Sequence, residues 1–454
     1  MFPRICRGVV MAGAPDRAGA TGWPSAASAW YAAIILMLAN TLAFVDRQAL
    51  ALLVQPIKND LQVSDTAMSL LYGLSFTIFY VAVGIPVARL ADRSNRRNII
   101  AFSVFLWSGM TALCGLARSF PLLFAARVGV GAGEGGLSPS AYSLLADYFP
   151  KNKLPAAMGV YQMGIYLGGA CALLIGGLIS TVVPPGEEVV LPLVGALKGW
   201  HIVFLALGVP GLLLSLLLLT VREPVRQGVA GEGAKVPISH FLSHLGGRKR
   251  AYLGIALGFA LMIFVGNGTG AWIPAFLERK FGWSTAEIGA SYGLIVFFCG
   301  TSGALAGGFF ASWLRGRGYE RANLQTALIG FLVLIPVTIG FPLMPSAGLA
   351  LILIGIMNFF AGFNFGGGLA ALQELTPNRM RALLSALYML TINLIGAALG
   401  PTAVALITDF WFGDPQRLPD ALAITCAIAS PLAVLALLIG MRGYSDIQTA
   451  QEPQ

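Results

Sequence analysis

Residues 199–221 read GWHIVFLALGVPGLLLSLLLLTV, from Gly199 to Val221, without a single Asp, Glu, Lys or Arg. An apolar run of about 20 residues is long enough, as a helix, to cross the hydrocarbon core of a bilayer. Working outward from it, eleven more runs of comparable length appear, giving spans at approximately 28–54, 66–90, 97–117, 119–146, 154–180, 199–221, 251–277, 286–314, 322–342, 346–374, 378–408 and 419–441. Of the 454 residues, 57% are hydrophobic and only 11% charged, where a soluble chain has about a quarter charged. The 56 glycines and 25 prolines suit membrane helices better than soluble ones. The sequence predicts an all-α integral membrane protein of twelve transmembrane helices. Its longest connection separates a tail (1–27) and a first six-helix bundle (28–221) from a second bundle (251–441) and tail (442–454), with 222–250 as linker.

The net charge of +9 raises the question of nucleic acid, and its placement answers it. With the N-terminus inside, 21 of the 29 Lys and Arg residues fall in the tails and loops of one side. Six lie on the other: Lys58, Arg118, Lys198, Arg279, Lys280 and Arg417. This is the lysine and arginine bias that orients membrane proteins, so both termini are expected in the cytoplasm and no nucleic-acid partner is expected. The five cysteines are scattered, and all but Cys6 sit in apolar segments, so neither a disulfide nor a metal site is expected. The first 27 residues lack an apolar core before a cleavage site, so a cleaved signal peptide is not expected.

The two halves echo one another. After span two comes Ala88-Arg89-Leu90-Ala91-Asp92-Arg93-Ser94-Asn95-Arg96-Arg97, and at the equivalent place after span eight comes Trp313-Leu314-Arg315-Gly316-Arg317-Gly318. Two six-helix repeats with a basic turn between their second and third helices resemble the major facilitator superfamily, whose turn motif is G-x-L-A-D-R-x-G-R-R. Ala88 and Asn95 stand here where glycines are usual. The resemblance implies two pseudo-symmetric six-helix bundles. It also implies a cytoplasmic gate at Asp92, Arg96, Arg97 and Asp147, with Asp92 meeting span eleven near Arg379 or Arg381 and Arg97 meeting Asp147. Plain topology-setting charge is the competing reading of that turn. In the linker, Ile238, Phe241, Leu242 and Leu245 fall on one helical face ahead of Arg248, Lys249 and Arg250, as in an amphipathic helix lying on the membrane surface. His240 and His244 are four apart, but no third ligand is near them.

Four charges stand out inside spans: Asp46 and Arg47 in span one, Arg127 and Glu134 in span four. A charge at the bilayer centre costs at least about 2.5–3.5 kcal/mol, so each needs a reason. Two acids and two bases sum to zero and can share one cavity. In one reading they only dock span one on span four. In the other, Asp46 and Glu134 exchange protons while Arg47 and Arg127 act as counter-charges or hold a substrate anion. The constellation sharpens the resemblance. Asp46-Arg47, then Arg127-Val-Gly-Val-Gly131-Ala-Gly-Glu134-Gly, is similar to the spinster branch of the superfamily, as are Trp107-Ser108, Ala146-Asp147-Tyr148-Phe149-Pro150, Arg381-Ala-Leu-Leu-Ser385 and Asn393-Leu-Ile-Gly396 with Gly400-Pro401. The resemblance implies proton-linked export of the kind found in animal members, whose cargo is lysolipids or sphingosine-1-phosphate-like molecules.

Other patterns lead nowhere catalytic. Gly131-x-Gly133-x-x-Gly136 has the spacing of a dinucleotide fingerprint but lies mid-membrane with no strand before it. Its glycines, like Gly164 and Gly168, suit close helix packing. Asn267-Gly-Thr269 is a sequon inside a span, and no P-loop lysine exists. An enzyme and a cofactor are not expected. Asn and Gln in lipid need partners, so Asn40, Tyr161, Gln162, Tyr166, Asn267, Trp272, Tyr292, Asn358, Asn364, Tyr388 and Asn393 are candidates for a central cavity. The sequence thus points to a monomeric, proton-coupled carrier of an amphipathic anion, in a bacterial inner membrane with bilayer lipid as its surroundings. A carrier of soluble organic anions or drugs, or a sensor that kept the carrier fold, are the rivals.

Overall fold

A computed structural model describes residues 23–91, 93–150, 153–183, 187–192, 195–226, 238–364, 367–377 and 380–449. Spans one to three are Ala26–Leu52, Asp65–Ala91 and Arg96–Cys114; spans five to nine are Leu154–Val182, Gly199–Leu218, Lys249–Phe281, Thr285–Gly316 and Ala322–Leu343. Ten comprises Ala347–Phe363 and Gly367–Glu374, eleven runs from Arg381 to Phe412, and twelve is Leu418–Thr449, continuing past the expected end at 441. Eleven helices among the described residues are long and apolar enough to cross a membrane. The twelfth is span four, which falls short because it is broken into Phe120–Glu134 and Leu137–Tyr148.

Local chemistry sets where these helices begin. Ser25, Ser64, Asn95 and Ser346 accept from backbone N–H groups three residues on, and Ser284 forms a reciprocal box with Glu287. Those bonds satisfy donors that helix starts leave open. Glycines then let helices touch. A Cβ on Gly164 or Gly168 would lie 2.8 Å or 2.4 Å from backbone oxygens of span one, and one on Gly131 would lie 2.4 Å from Phe76 O of span two.

The termini and linker define one end of the molecule, the terminal face; the opposite end is the far face. The halves are fastened together toward the far face. A Cβ on Gly73 of span two would lie 2.6 Å from Ala398 O of span eleven, and Gly177 of span five touches Gly289 of span eight. Arg279 of span seven reaches Asp65 of span two (2.6 and 2.8 Å), Gln55 (3.0 Å) and Pro415 O (3.2 Å). Thr66 donates both its N–H and its hydroxyl to Asp409 at 2.6 Å. Two features of this face lie outside the expected segments: a short helix, Val54–Leu61, and a hairpin of Glu188–Leu191 with Gly195–Lys198, antiparallel with Glu188 opposite Lys198.

At the terminal face each half forms its own polar cluster. Arg96, buried at the start of span three, pairs with Asp147 and with Glu223 (2.7 Å). Arg315, more than half exposed at the end of span eight, pairs with Glu374 at 2.5 Å, which also accepts from Tyr444. Asp147 takes Arg96 where Arg97 was expected. One residue further round the helix, Arg97 turns outward, giving its N–H to Glu223 and its side chain to Asn98 and Leu219 O. The guanidinium of Arg381 is held by the carbonyls of Gln373 and Thr376. Asp92 and Arg379 lie outside the described residues. The linker helix is Ile238–Gly246, with Phe241 buried; the side chains of Ile238 and Leu242 lie outside the description.

Candidate functional site

Span two is pressed against the broken span four through glycine. Besides Gly131 on Phe76, a Cβ on Gly135 would meet Tyr80 O at 2.6 Å. This brings Phe76 and Tyr80 beside the end of the first segment of span four, where Glu134 is the last residue before the break. Arg47 of span one reaches into that corner. Its Nε and Nη2 donate to Glu134 Oε2 at 2.8 and 2.6 Å. Its guanidinium carbon lies 4.9, 4.5 and 5.1 Å from the ring centres of Phe44, Phe76 and Tyr80, an arrangement in which ring quadrupoles reinforce a cation.

Asp46, one residue earlier, points about 100° away around the helix. Its Oδ2 accepts from Thr111 of span three at 3.0 Å. Arg127 donates to the Asp46 backbone oxygen at 3.4 Å, with its guanidinium 5.9 Å from the Phe76 ring. The four predicted charges therefore converge. They differ in exposure: the Arg47 side chain is 26% exposed and that of Glu134 1%, and Asp46 and Arg127 are buried. Glu134 Oε1 and Arg127 Nε are buried without a protein partner, which is costly unless something else meets them.

The accessible side of this cluster is a wall of a cavity of about 300 Å³ between the halves. The first bundle supplies Phe44, Arg47, Gln48, Tyr72, Phe76, Thr77, Arg127, Ile165, Tyr166 and Gly169; the second supplies Asn267, Val296, Gly300, Asn358, Ala361, Gly362, Asn393 and Ala397. Three of the helices loosen where they pass it. Leu70–Leu74, Val296–Gly300 and Ile392–Ala398 are π-helical turns, a distortion that recurs at functional sites.

Of the predicted cavity residues, Tyr166, Asn267, Asn358 and Asn393 line this space. The others do helix-joining work or are buried elsewhere. Asn40 donates to Tyr161 O at 2.9 Å, Tyr161 packs edge-on against Tyr142, and Gln162 accepts from the Tyr142 hydroxyl. Trp272 donates to Pro401 O at 3.0 Å. Tyr292 is buried in the core, Asn364 is buried against Gly330, and Tyr388 lines a separate apolar groove with Leu253 and Leu257. Sequence reasoning missed Phe44, Gln48, Tyr72, Phe76 and Thr77. Gln48, next to Asp46-Arg47 in an apolar span, was the available signal; it accepts from the Tyr72 hydroxyl at 3.0 Å. A second cavity, about 370 Å³, lies at the far face around the Asp60–Lys198 pair.

The family model described as Major Facilitator Superfamily matches residues 36–401. The chain belongs to that superfamily. It is 31% identical over 423 residues to an MFS-type efflux pump of Mycolicibacterium smegmatis, covering 92% of this chain and 93% of the pump. It is 27% identical over 400 residues to the mouse (Mus musculus) sphingosine-1-phosphate transporter SPNS2, covering 83% of this chain and 69% of the relative. Among solved structures it is similar to a bacterial homologue of the human lysosomal transporter Spinster in an inward-facing, unoccupied conformation. That match has a TM-score of 0.78 and 29% identity, covering 94% of this chain and 98% of the other. The likeness to the spinster branch read from the charged spans is thus shown, and the chain is a multi-pass membrane transporter with relatives that are transporters rather than enzymes.

Proposed function

We propose that this transporter couples protons to the movement of an amphipathic anion of the lysophospholipid or sphingosine-phosphate type, in a bacterial inner membrane with both termini in the cytoplasm. The observation that carries the proposal is the division of labour in one ion pair. Arg47 faces the cavity, while its partner Glu134 is buried behind it. An anion entering the cavity competes for the guanidinium, and Glu134 then faces a low-dielectric interior without its counter-ion. A carboxylate so placed favours its protonated form. Anion and proton binding therefore help one another, and by linkage the help is mutual. Asp46 and Arg127 stand directly behind as a second acid and base, while Phe44 and Phe76 give an apolar tail something to lie against. Among the relatives, the sphingosine-1-phosphate transporter supports a lipid-like cargo, whereas the L-galactonate, hexuronate and gentisate transporters support the soluble-anion rival. With the terminal face read as cytoplasmic, the fastened far face fits an inward-facing member of an alternating-access cycle.

The test is reconstitution in liposomes with a pH gradient and a labelled lysophospholipid, beside Glu134→Gln. Transport that responds to the gradient in the native protein and not in the variant is expected. Gradient-independent movement in both would leave the cluster a helix dock. Movement of a small organic anion but no lysolipid would favour the soluble-anion rival.

A further inference from the structure

The two walls of the central cavity differ in charge: the first bundle brings two guanidinium groups beside the neutral Gln48, Tyr72, Thr77 and Tyr166, and the second brings neutral amides alone. On the first-bundle side, Arg47 and Arg127 are guanidinium groups, donors with no acceptor, and Arg127 keeps an unpartnered buried Nε. On the second-bundle side the polar side chains are three asparagines, Asn267, Asn358 and Asn393. Each turns back on its own helix. Asn267 Nδ2 donates to Ile263 O (3.1 Å), Asn358 Nδ2 to Ile354 O (2.9 Å) and Asn393 Nδ2 to Met389 O (2.8 Å). A carbonyl only accepts, so these bonds fix which amide atom is nitrogen. Asn267 and Asn393 thereby each spend one N–H while Oδ1 keeps both lone pairs; Asn358 is also engaged by the Tyr292 hydroxyl. The wall offers more acceptor than donor.

Resting on the anion-carrier reading above, we infer that the cargo's polar end bears an anionic group for the arginine wall and, a few atoms away, N–H or O–H donors for the asparagine wall. A primary ammonium or a pair of hydroxyls meets that requirement. A quaternary ammonium has the same charge but no donor, and it leaves the acceptors facing it unpaired, which is where a site built to hydrogen-bond discriminates most strongly. The shape of the site agrees: Asn393 sits in the π-helical turn at Ile392–Ala398 and Gly300 ends the one at Val296–Gly300, so the backbone is opened around the cavity where a hydrogen-bonding group must fit.

Binding to the purified full-length protein in detergent, with four probes, decides the matter: lysophosphatidylethanolamine, lysophosphatidylcholine, phosphoethanolamine and phosphocholine. The expected result is lysophosphatidylethanolamine bound about tenfold more tightly than lysophosphatidylcholine, a ratio that falls to about twofold in Asn267→Leu and Asn393→Leu. A melting curve for each variant separates loss of contact from loss of fold. Equal binding of the two lysolipids overturns the inference and leaves the lipid reading standing. If neither lysolipid binds but phosphoethanolamine is held over phosphocholine with the same dependence on asparagine, the inference stands and the lipid reading falls. Binding of none of the four overturns both.

Discussion

The two six-helix bundles repeat one architecture but divide its chemistry unequally. At the cavity the first bundle presents two arginines backed by two buried acids, and the second presents neutral amides and glycine. The same inequality recurs at the terminal face, where Arg96 is buried among Asp147 and Glu223 while Arg315 reaches Glu374 across an exposed surface. Duplicated folds are free to do this because the helices' packing comes from glycine contacts and apolar surface, which both bundles keep. Charge within a membrane is expensive, and placing it in one bundle lets acids and bases neutralise one another over a few ångströms. The second bundle then packs against it with no acid or base of its own at the cavity.

The largest effect should come from breaking that neutrality. Arg47→Ala leaves Glu134 buried without its hydrogen-bonded cation, a loss of about 3–5 kcal/mol for a buried pair with one partner removed. Melting in detergent should show it, and transport should disappear. Adding Glu134→Gln should recover most of the stability and none of the transport. If the single variant melts like the native protein, the cluster is not what holds spans one and four together. The halves' clasp comes next. Asp65, fully buried, is shared by Arg279 of the other bundle and by Lys58 at 2.7 Å. Asp65→Asn should free the far face to open, read as several-fold faster labelling of a cysteine placed at Ala398, which packs against Gly73. Unchanged labelling would remove the pair from any account of gating.

A smaller and more pointed comparison is Arg96→Gln against Arg315→Gln. Both arginines belong to the basic turn of their repeat, Arg96 where span three begins and Arg315 where span eight ends, so a purely topological role predicts equal and slight effects. Burial predicts otherwise: Arg96→Gln should cost about 3 kcal/mol, leaving two carboxylates without their shared cation, and Arg315→Gln at most about 1 kcal/mol. Equal melting temperatures would make the turn motif a topology signal alone.

The sequence made the twelve spans and the four intramembrane charges legible, because each is a local statement about polarity. It also placed Tyr166, Asn267, Asn358 and Asn393 at the cavity. The failures share a cause. The break after Glu134 hides in Gly135-Gly136, which reads equally well as close packing within a continuous helix. The Asp65–Arg279 clasp joins residues more than two hundred positions apart, and each alone reads as an ordinary loop charge. Arg96 rather than Arg97 meets Asp147 because 100° of helix rotation separates two residues that composition treats alike. Asn40 and Trp272 looked like cavity residues for the reason that makes them good cross-links: a polar group in lipid needs a partner, and the partner turned out to be a neighbouring helix.

The segment between the bundles offers the gentlest test, because its titrating histidine lies outside the spans. His244 of the linker helix lies between Arg248, whose Nη1 is 3.0 Å from its ring, and the Tyr252 hydroxyl, 3.2 Å from Nε2. Burial, then the nearby charge of Arg248 and of His240, pushes its imidazole below the ordinary histidine value. A neutral ring is what Arg248 favours, since its Nη1 lies 3.0 Å from both ring nitrogens and a second positive charge there would be repelled. The undocked helix, with an ordinary histidine near 6.5, takes up a proton before the docked one does. Docking is therefore at full strength above pH 7 and weakens as pH falls through and below that value. Hydrogen exchange across Ile238–Gly246 should quicken a few-fold between pH 7.5 and 5.5 after correction for the intrinsic rate, while the spans of both bundles hold steady. His244→Gln should flatten the profile. If exchange in the linker follows pH identically in the variant, His244 is a bystander, and the connection between the charged and the neutral bundle is held by Phe241 and its apolar neighbours alone.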